Sequence, residues 1–340
     1  MIQTDKLSIF NLITGNEGEE RPSETVIREF EEAISESEFI QEVRTDSYII
    51  SRLFFRLWKS GLFSGIFKNQ LLRFFKLIFG GRKNYLIVLM GPRFPKCFPH
   101  VFRNGLKAIY LFDAWPSYFN SILRFVNDFK IDYLFVSSKQ AAESLNKLIG
   151  KNNVFWVPEG VKSGDYKFLP AANRNIDVLS FGRYYDNFHL KIVEKLALKK
   201  LNYVFSSANE KLFPDKKSFT EGLSGAKISV CFPTSVTHPE RAGGVETMTN
   251  RFLQSMASKC LVFGKAPEEL IQLFGYNPVV EVDMENPAEQ IIEILENYEN
   301  YSELIEKNYK TVVENQTWAN RWEQISIILS ENINQNKAHL

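Results

Sequence analysis

The sequence predicts an α/β protein built from two doubly wound parallel sheets, and three observations lead to this fold class. The apolar segments read as continuous runs, which is typical of parallel strands covered by helices on both faces. These runs alternate along the chain with segments of helical periodicity. The length of 340 residues is sufficient for two domains that each bury a core of their own.

The first series of predicted elements extends to about residue 165. Its first strand is followed by a loop, Thr14 to Gly18, whose residues tolerate unusual backbone φ angles. Ser23 is a candidate N-cap for its first helix. Gly80 and Gly81 are a stop signal for its third helix. The predicted strands cover 7–13, 85–90, 108–112, 133–137 and 154–157, and the predicted helices cover 23–37, 49–60, 66–79, 118–128 and 140–148.

A second series of elements begins after residues 162–175, which have the composition of an inter-domain linker. Strand and helix signals alternate again in this half, which predicts a second doubly wound sheet. The predicted strands cover 176–181, 203–206, 228–232, 261–263 and 279–282, and the predicted helices cover 189–200, 247–258, 286–298, 301–315 and 317–331.

Charge is distributed very unevenly along a chain whose net charge is +1. Residues 1–46 carry 4 bases and 12 acids, whereas residues 47–112 carry 12 bases and no acid. The bases of the second stretch are interleaved with phenylalanine and tryptophan, which indicates a segment that lies on an anionic membrane surface. Two other interpretations of residues 49–83 stay open: a wall of an acceptor groove, and a buried helix with a solvated basic face.

Several classes of protein are disfavoured by the composition. The three cysteines are widely spaced and form no C-x-x-C, so neither a disulfide framework nor a zinc site is indicated, and a reducing cytoplasm fits. We expect no secretory signal, because the sequence does not open with a basic stretch followed by an apolar core, and no membrane span, because no apolar run approaches about 20 residues. The loop at Gly15 is not G-x-G-x-x-G, which disfavours an NAD-dependent enzyme, and no P-loop motif occurs, which disfavours a P-loop enzyme. Nucleic-acid binding is disfavoured because no recognised module accompanies the bases.

The most informative segment covers residues 226–265. It reads as a buried strand, a polar loop with the pair Gly243 and Gly244, the acid Glu246, a short helix and another buried strand. The first amides of a helix have no intrahelical partner and lie at its positive end, so this order predicts an anion-binding pocket. A helix from residue 247 would place Glu246 and Gln254 about two turns apart on nearly one face. Such a pocket suits a diphosphate with a sugar on each side.

This segment resembles the donor-site segment of nucleotide-sugar glycosyltransferases of the group 1 type, which have the GT-B fold. Their pattern is a strand ending in P-S, a loop, and E-x7-E running into A-M-A-x-G and a strand. The matching residues here are Phe232-Pro233-Thr234-Ser235, then Glu246, then Gln254-Ser255-Met256-Ala257-Ser258-Lys259, then Cys260 to Phe263. Gln254 in place of the second acid and Lys259 in place of the glycine depart from the pattern.

Three further segments resemble the same family. Residues 157–161 resemble its P-N-G-V/I motif, residues 177–183 resemble the strand and G-R motif that open its second domain, and the tail with Trp318 and Trp322 resembles its last helix. Phe188 stands where the family has a lysine, which removes one cation of the usual diphosphate clamp. His189 and Lys191 are the neighbouring residues that could substitute for it.

The resemblance implies two Rossmann-like domains facing a cleft. Residues 1–165 would form the acceptor side with a basic aromatic insertion at 49–83, residues 170–315 the donor domain, and residues 316–340 a helix crossing back to the first domain. It implies a glycosyltransferase that moves a sugar from a nucleoside diphosphate to a glycan or lipid-linked acceptor, with retention and without metal or cofactor. The alternatives are a non-catalytic GT-B-like binding subunit of a glycosyltransferase complex, and a sugar-nucleotide epimerase or hydrolase.

The resemblance also assigns roles to particular residues. Glu246 would orient donor-sugar hydroxyls, Arg183 would bind the leaving phosphate, and Asp113, at the end of a strand on the acceptor side, would act as a base. The expected donor-binding residues are Arg183, Gly243, Gly244, Thr247, Met248, Thr249, Asn250, Arg251 and Gln254.

Each of these roles has an ordinary structural alternative. Glu246 could be a helix-dipole acid, Arg183 a turn residue, Arg251 a helix-surface ion pair and Asp113 a cap. His100 and His238 are lone histidines that more often have no acid–base role. We expect a cytoplasmic location with peripheral attachment at the inner membrane face through 49–83, and no nucleic-acid partner.

Overall fold

The computed structural model describes residues 10–13, 25–35, 37–42, 48–61, 68–206 and 212–338. The described residues form two compact units, one reaching Pro158 and resuming at Arg321, and one comprising Glu159–Asn320. Each unit is a parallel β-sheet flanked by helices, which confirms the predicted α/β class.

The first unit contains six strands, and its sheet has the order β2-β1-β3-β4-β5-β6 with every pair parallel. Its elements are β1 (Phe10–Ile13), α1 (Thr25–Ser35), β2 (Ile40–Glu42), α2 (Tyr48–Lys59), α3 (Lys68–Phe79), β3 (Asn84–Met90), β4 (Lys107–Phe112), α4 (Phe119–Phe129), β5 (Tyr133–Val136), α5 (Lys139–Ile149) and β6 (Val154–Trp156). Of the two central strands, β4 is buried along its whole length and β3 at all but its two end residues, as their continuous apolar runs predict.

The second unit contains five strands in the order β11-β10-β9-β7-β8, again all parallel. Its elements are β7 (Ile176–Ser180), α6 (Asp186–Leu198), β8 (Tyr203–Phe205), α7 (Lys216–Ser224), β9 (Ala226–Cys231), α8 (Thr234–Thr237), α9 (Pro239–Ala242), α10 (Asn250–Ala257), β10 (Leu261–Gly264), α11 (Glu268–Phe274), β11 (Val280–Glu281), α12 (Pro287–Glu296) and α13 (Ser302–Asn315). The last helix, α14 (Trp318–Ala338), begins in this unit and continues in the first.

Helices cover both faces of the second sheet. Successive residues of one strand belong to different cores: Val178 packs with Phe188 and Ile192 of α6, whereas Leu179 packs with Phe252 of α10. This alternation follows from the two-residue period of a strand. Phe188, at the position of the family's lysine, is therefore a core residue and lies against Phe232 and Phe263.

Most predicted elements are present within a few residues of their predicted bounds, while several short elements were not predicted. The structure adds β2, α7, α8, α9 and α11, which are too short to show a clear periodicity. Residues 7–9, the loop Thr14 to Gly18 and the N-cap candidate Ser23 lie outside the described residues.

The predicted linker, 162–175, belongs to the second unit and is anchored there by two buried side chains, although more than half of its residues are exposed. The guanidinium of Arg174 is buried and donates to the carbonyl oxygens of Leu169 and Ser258, at 2.9 Å each, and to that of Ala226. Tyr166 is also buried in this core. The polar composition of the segment gave no indication that these two side chains are buried.

Helices α2 and α3 pack on the first unit through aromatic side chains. Phe54 of α2 meets Phe75 and Phe79 of α3 edge to face, with ring centroids 5.0 and 5.4 Å apart, and all three rings contact Phe102. Each helix packs one face inward and keeps the other exposed, which all three interpretations of residues 49–83 allow.

A buried carboxylate fixes these helices to α4. Asp128 accepts a hydrogen bond from Nε1 of Trp58 at 2.8 Å and forms an ion pair with Nζ of Lys68 at 2.6 Å. Arg124 lies 3.5 Å from the same carboxylate and stacks over the Trp58 ring at 4.9 Å. Among the described residues, no helix is long and apolar enough to cross a bilayer.

We expect the Asp128→Ala variant to lose about 3 kcal/mol of the free energy of unfolding. The substitution leaves the buried Trp58 N–H and the Lys68 ammonium without their acceptor, and breaking a buried charge pair has costs of this size. Urea denaturation measures the change. The exposed acid Glu143 of α5 provides a control, and a loss no larger than that of Glu143→Ala would contradict the anchoring role of Asp128.

Candidate functional site

The second sheet has a topological switch point between β7 and β9. β7 is the first strand of this unit and lies between β8 and β9, so the chain leaves it toward one side and later continues on the other. Ligands of open α/β sheets bind at the carboxyl ends of the two strands beside such a switch. The residues placed there are those that follow Ser180 and Cys231.

Arg251 connects the two loops at this switch point. Its Nη1 donates to the carbonyl oxygen of Phe181, after β7, at 3.1 Å, and its Nη2 donates to that of Phe232, after β9, at 2.9 Å. Burial lowers the pKa of this guanidinium, and nearby Glu159 and Cys231 act in the opposite direction. Arg251 was expected to bind donor phosphate, but two of its donors are committed to backbone carbonyls.

Gly182 makes room for this arginine. Its φ is +81°, in the left-handed region, and a Cβ atom added there would lie 3.0 Å from Cδ of Arg251. The glycine of the G-R motif is thus required both by its backbone conformation and by the close approach of Arg251.

The helix that follows Glu246 begins later than predicted. α10 starts at Asn250, and Thr249 has an extended backbone with φ −112° and ψ 153°. The prediction that Glu246 and Gln254 lie on one helix face is therefore wrong, because Glu246 stands outside the helix.

Two internal carboxylates hold the amides that were expected to bind phosphate. Glu159 accepts from the N–H of Asn250 at 2.6 Å, and the buried Glu269 accepts from the N–H of Met248. These contacts join segments far apart in sequence and hold the two residues on either side of the extended Thr249. The anion at this helix N-terminus is thus supplied by the protein itself.

Three buried polar side chains lie in the same region and have no hydrogen-bond partner among the described residues. They are the hydroxyl groups of Thr234 and Thr249 and both amide atoms of Asn250, each on a residue more than nine-tenths buried. Thr249 and Asn250 directly precede Arg251, and Thr234 follows its acceptor Phe232 by two residues. A buried polar group without a partner costs about 1–3 kcal/mol, so these side chains require polar partners, which a ligand or ordered water can supply.

The remaining donor-site candidates surround this cluster along the chain. Gly243 and Gly244 have φ of +57° and +85° and are exposed, whereas Thr247 and Met248 are buried beside them. Arg183 is half-buried, two residues after Phe181.

Glu246 lies beside the carboxyl end of β10. Its Oε2 accepts from the N–H of Glu268 at 3.4 Å, its Oε1 is 3.9 Å from Nζ of Lys265, and its side chain is partly exposed. A carboxylate in this position can still meet a hydroxyl of a bound sugar, so its catalytic role stays a prediction.

Gln254 has a partner within the protein. Its Nε2 donates to the hydroxyl group of Tyr166 at 2.9 Å, and the side chain is buried. The substitutes considered for the missing lysine are engaged as well: Nδ1 of His189 is 3.2 Å from the hydroxyl of Tyr203, and Lys191 donates to the carbonyl oxygen of Met284. The expected role of Gln254 toward ribose stays a prediction.

In the first unit, Asp113 directly follows β4 and has φ of +52°, which is uncommon for a residue other than glycine. This sheet also switches direction, between β1 and β3, and the loop after β1 lies outside the described residues. Burial lowers the pKa of His100 to about 4, while His238 contacts Thr237 at 3.0 Å. Neither geometry supports an acid–base role for these histidines.

Comparison with solved structures identifies the fold. Sucrose-phosphate synthase from Thermosynechococcus elongatus superposes with a TM-score of 0.59 at 13% identity, covering 98% of this chain and 100% of that one. HepE from Anabaena, in complex with UDP-glucose, superposes with a TM-score of 0.54 at 9% identity over 98% and 100% of the two chains. The chain has the GT-B fold.

A further solved structure is less similar to this chain. TarM aligns at 14% identity with a TM-score of 0.48, over 72% of this chain, and the chain spans about half of its length, 54%. No protein-family model matches the sequence, and no curated protein matches it. At these identities the likeness to solved structures shows the fold alone.

We expect Gly182→Ala to destabilise the protein by about 2 kcal/mol more than Gly275→Ala. Both glycines have a left-handed backbone, which costs a side-chain-bearing residue about 1 kcal/mol, but a Cβ at Gly275 meets nothing within 4 Å. Only in Gly182→Ala must Arg251 move by a few tenths of an ångström, which strains its hydrogen bonds to the two carbonyl acceptors. Equal losses in thermal or urea denaturation would show that the Arg251 contacts do not depend on this glycine.

Proposed function

We propose that this chain is a glycosyltransferase that moves a sugar from a nucleoside diphosphate to a glycan or lipid-linked acceptor. The observation that carries the proposal is the buried polar cluster of Thr234, Thr249 and Asn250 at the β7/β9 switch point. The two hydroxyl groups and the carboxamide can donate hydrogen bonds to phosphate oxygens. The GT-B fold, and the likeness to a protein solved in complex with UDP-glucose, support a nucleotide sugar as the ligand.

In this proposal the side chains, rather than the first helix amides, receive the diphosphate. The reaction breaks the bond from the anomeric carbon to the phosphate oxygen, and negative charge grows on the leaving diphosphate. Fixed donors that stabilise this charge lower the barrier. Arg183, which follows the same β7 end, would supply the cation, and Arg251 would hold the two loops at a constant spacing.

The proposal assigns Glu246 to the hydroxyl groups of the donor sugar. Retention at the anomeric carbon, independence from metal, and Asp113 as the acceptor base complete the proposal and rest on the family resemblance. Thr247, Gly243 and Gly244 would border the sugar, since they lie between α9 and the extended segment before α10.

A second candidate function is a binding subunit that holds a nucleotide sugar without turnover. It is favoured by two uncharged residues that stand where the family has charged groups for the donor. Gln254 is bonded to Tyr166, and Phe188 is a core residue. The two functions differ in turnover and agree in nucleotide binding, so binding and activity have to be measured separately.

We expect a nucleoside diphosphate or its sugar conjugate to raise the melting temperature. A ligand at about 100 times its dissociation constant stabilises the native state by about 2.7 kcal/mol. Thermal shift with UDP, GDP, ADP, CDP and TDP species, with and without a chelator, measures this. Stabilisation that disappears with the chelator would contradict metal independence. A flat response to the whole panel would contradict both candidate functions.

With the stabilising donor identified, Glu246→Gln should transfer sugar about ten- to a hundredfold more slowly, because a neutral amide replaces a charged acceptor for the sugar hydroxyls. Glu240→Gln, an exposed acid six residues earlier, is the control and should keep the wild-type rate. Nucleotide affinity should change little in either variant. Wild-type turnover in Glu246→Gln would mean that this carboxylate is not in the reaction site.

A further inference from the structure

The outward faces of α2 and α3 expose large apolar side chains. Half of the large hydrophobic residues exposed in the described part of the chain lie on these two helices of 12 residues each. They are Ile49, Ile50, Leu53, Phe74, Leu77 and Ile78. An apolar concentration of this kind on an otherwise polar surface marks an interaction site.

Basic side chains share these faces. Arg52 and Arg56 are spaced with Ile49 and Leu53 at i, i+3, i+4 and i+7, so the four residues line one side of α2. On α3, Arg73, Phe74 and Leu77 have the spacing of the last three of these positions, so they also line one side of their helix. Because both helices pack inward on the same Phe102 ring, their mixed basic and apolar faces are directed away from one common core.

The positive charge of this surface is not balanced by its own stretch of sequence. No acid occurs between residues 47 and 112. Asp128 pairs with Lys68 at the inner side of the helices. Six other bases between residues 48 and 83 are exposed: Arg52, Arg56, Lys59, Arg73, Arg82 and Lys83.

We infer that the outward faces of α2 and α3 bind the surface of an anionic lipid membrane. The bases meet the headgroups, and the isoleucine, leucine and phenylalanine side chains enter the boundary with the acyl chains. A nucleic acid would engage the bases through its phosphates but would leave six apolar side chains in water. The inference stands on this surface alone and does not depend on the proposed transfer reaction.

The direct test is co-sedimentation of the full chain with vesicles, in the absence of nucleotide. Vesicles of phosphatidylcholine mixed with phosphatidylglycerol should bind the protein, and vesicles of phosphatidylcholine alone should not. Salt at 1 M should weaken binding, because the Debye length shrinks to about 3 Å, without abolishing it, because apolar insertion is less sensitive to salt. Equal binding to both vesicles, or binding to neither, would overturn the inference.

Charge reversal separates this surface from others. The triple variant Arg52→Glu, Arg56→Glu and Lys59→Glu should lose at least about a hundredfold in the partition coefficient, since each base near such a surface contributes about fivefold. The control reverses three exposed lysines elsewhere, Lys147, Lys151 and Lys199, and should bind nearly as the wild type does. Equal losses in both triple variants would overturn the assignment to α2.

An apolar pair with the same exposure provides the second control. Leu77 on α3 and Leu198 on α6 are 84% and 83% exposed. Leu77→Ser should weaken vesicle binding about tenfold, whereas Leu198→Ser should not, and circular dichroism confirms that both variants fold. If Leu77→Ser instead only separates a dimer in gel filtration and leaves vesicle binding unchanged, the face belongs to a second copy and the inference fails.

Discussion

The arrangement of the candidate site depends on one buried guanidinium. Arg251 joins the carbonyl oxygens of Phe181 and Phe232, so the loops after two adjacent strands are held at a fixed separation. A cation with five donors in a rigid plane suits this task, because each N–H has a fixed direction. Removing it would leave two carbonyl groups without donors at the point where the loops carry Arg183 and Thr234. The polar cluster is therefore arranged by a residue that was expected to be part of it.

Much of the fold was predictable because it is encoded locally. Parallel strands buried on both faces appear as apolar runs, and the alternation of those runs with helices shows even without their pairing. The glycine pair at 243 and 244 and the position of Arg183 were predictable for the same reason, since left-handed turns and strand ends leave marks in short stretches of sequence.

The errors at the site have a common cause in contacts over long sequence distances. The start of α10 was misplaced because Glu159 and Glu269 determine it, and these residues lie 91 and 21 positions away from the amides that they hold. Thr249 occupies the N-cap position of α10 but does not cap the helix through its hydroxyl group. Thr234 lies in the Phe232–Ser235 segment that resembles the family motif, but its burial without a partner became apparent only from the packing around it.

The carboxylate of Glu159 gives the helix start a property that a bare amide would lack. The N–H of Asn250 already has a charged acceptor at 2.6 Å, so an anion could bind this amide only by displacing that acceptor. The free energy of such binding is a difference between two acceptors, and it includes the release of a carboxylate into new surroundings. Weak monoanions gain little from that exchange, whereas a ligand anchored at several other points can drive it. The helix end would therefore bind a ligand that makes many simultaneous contacts in preference to a small anion.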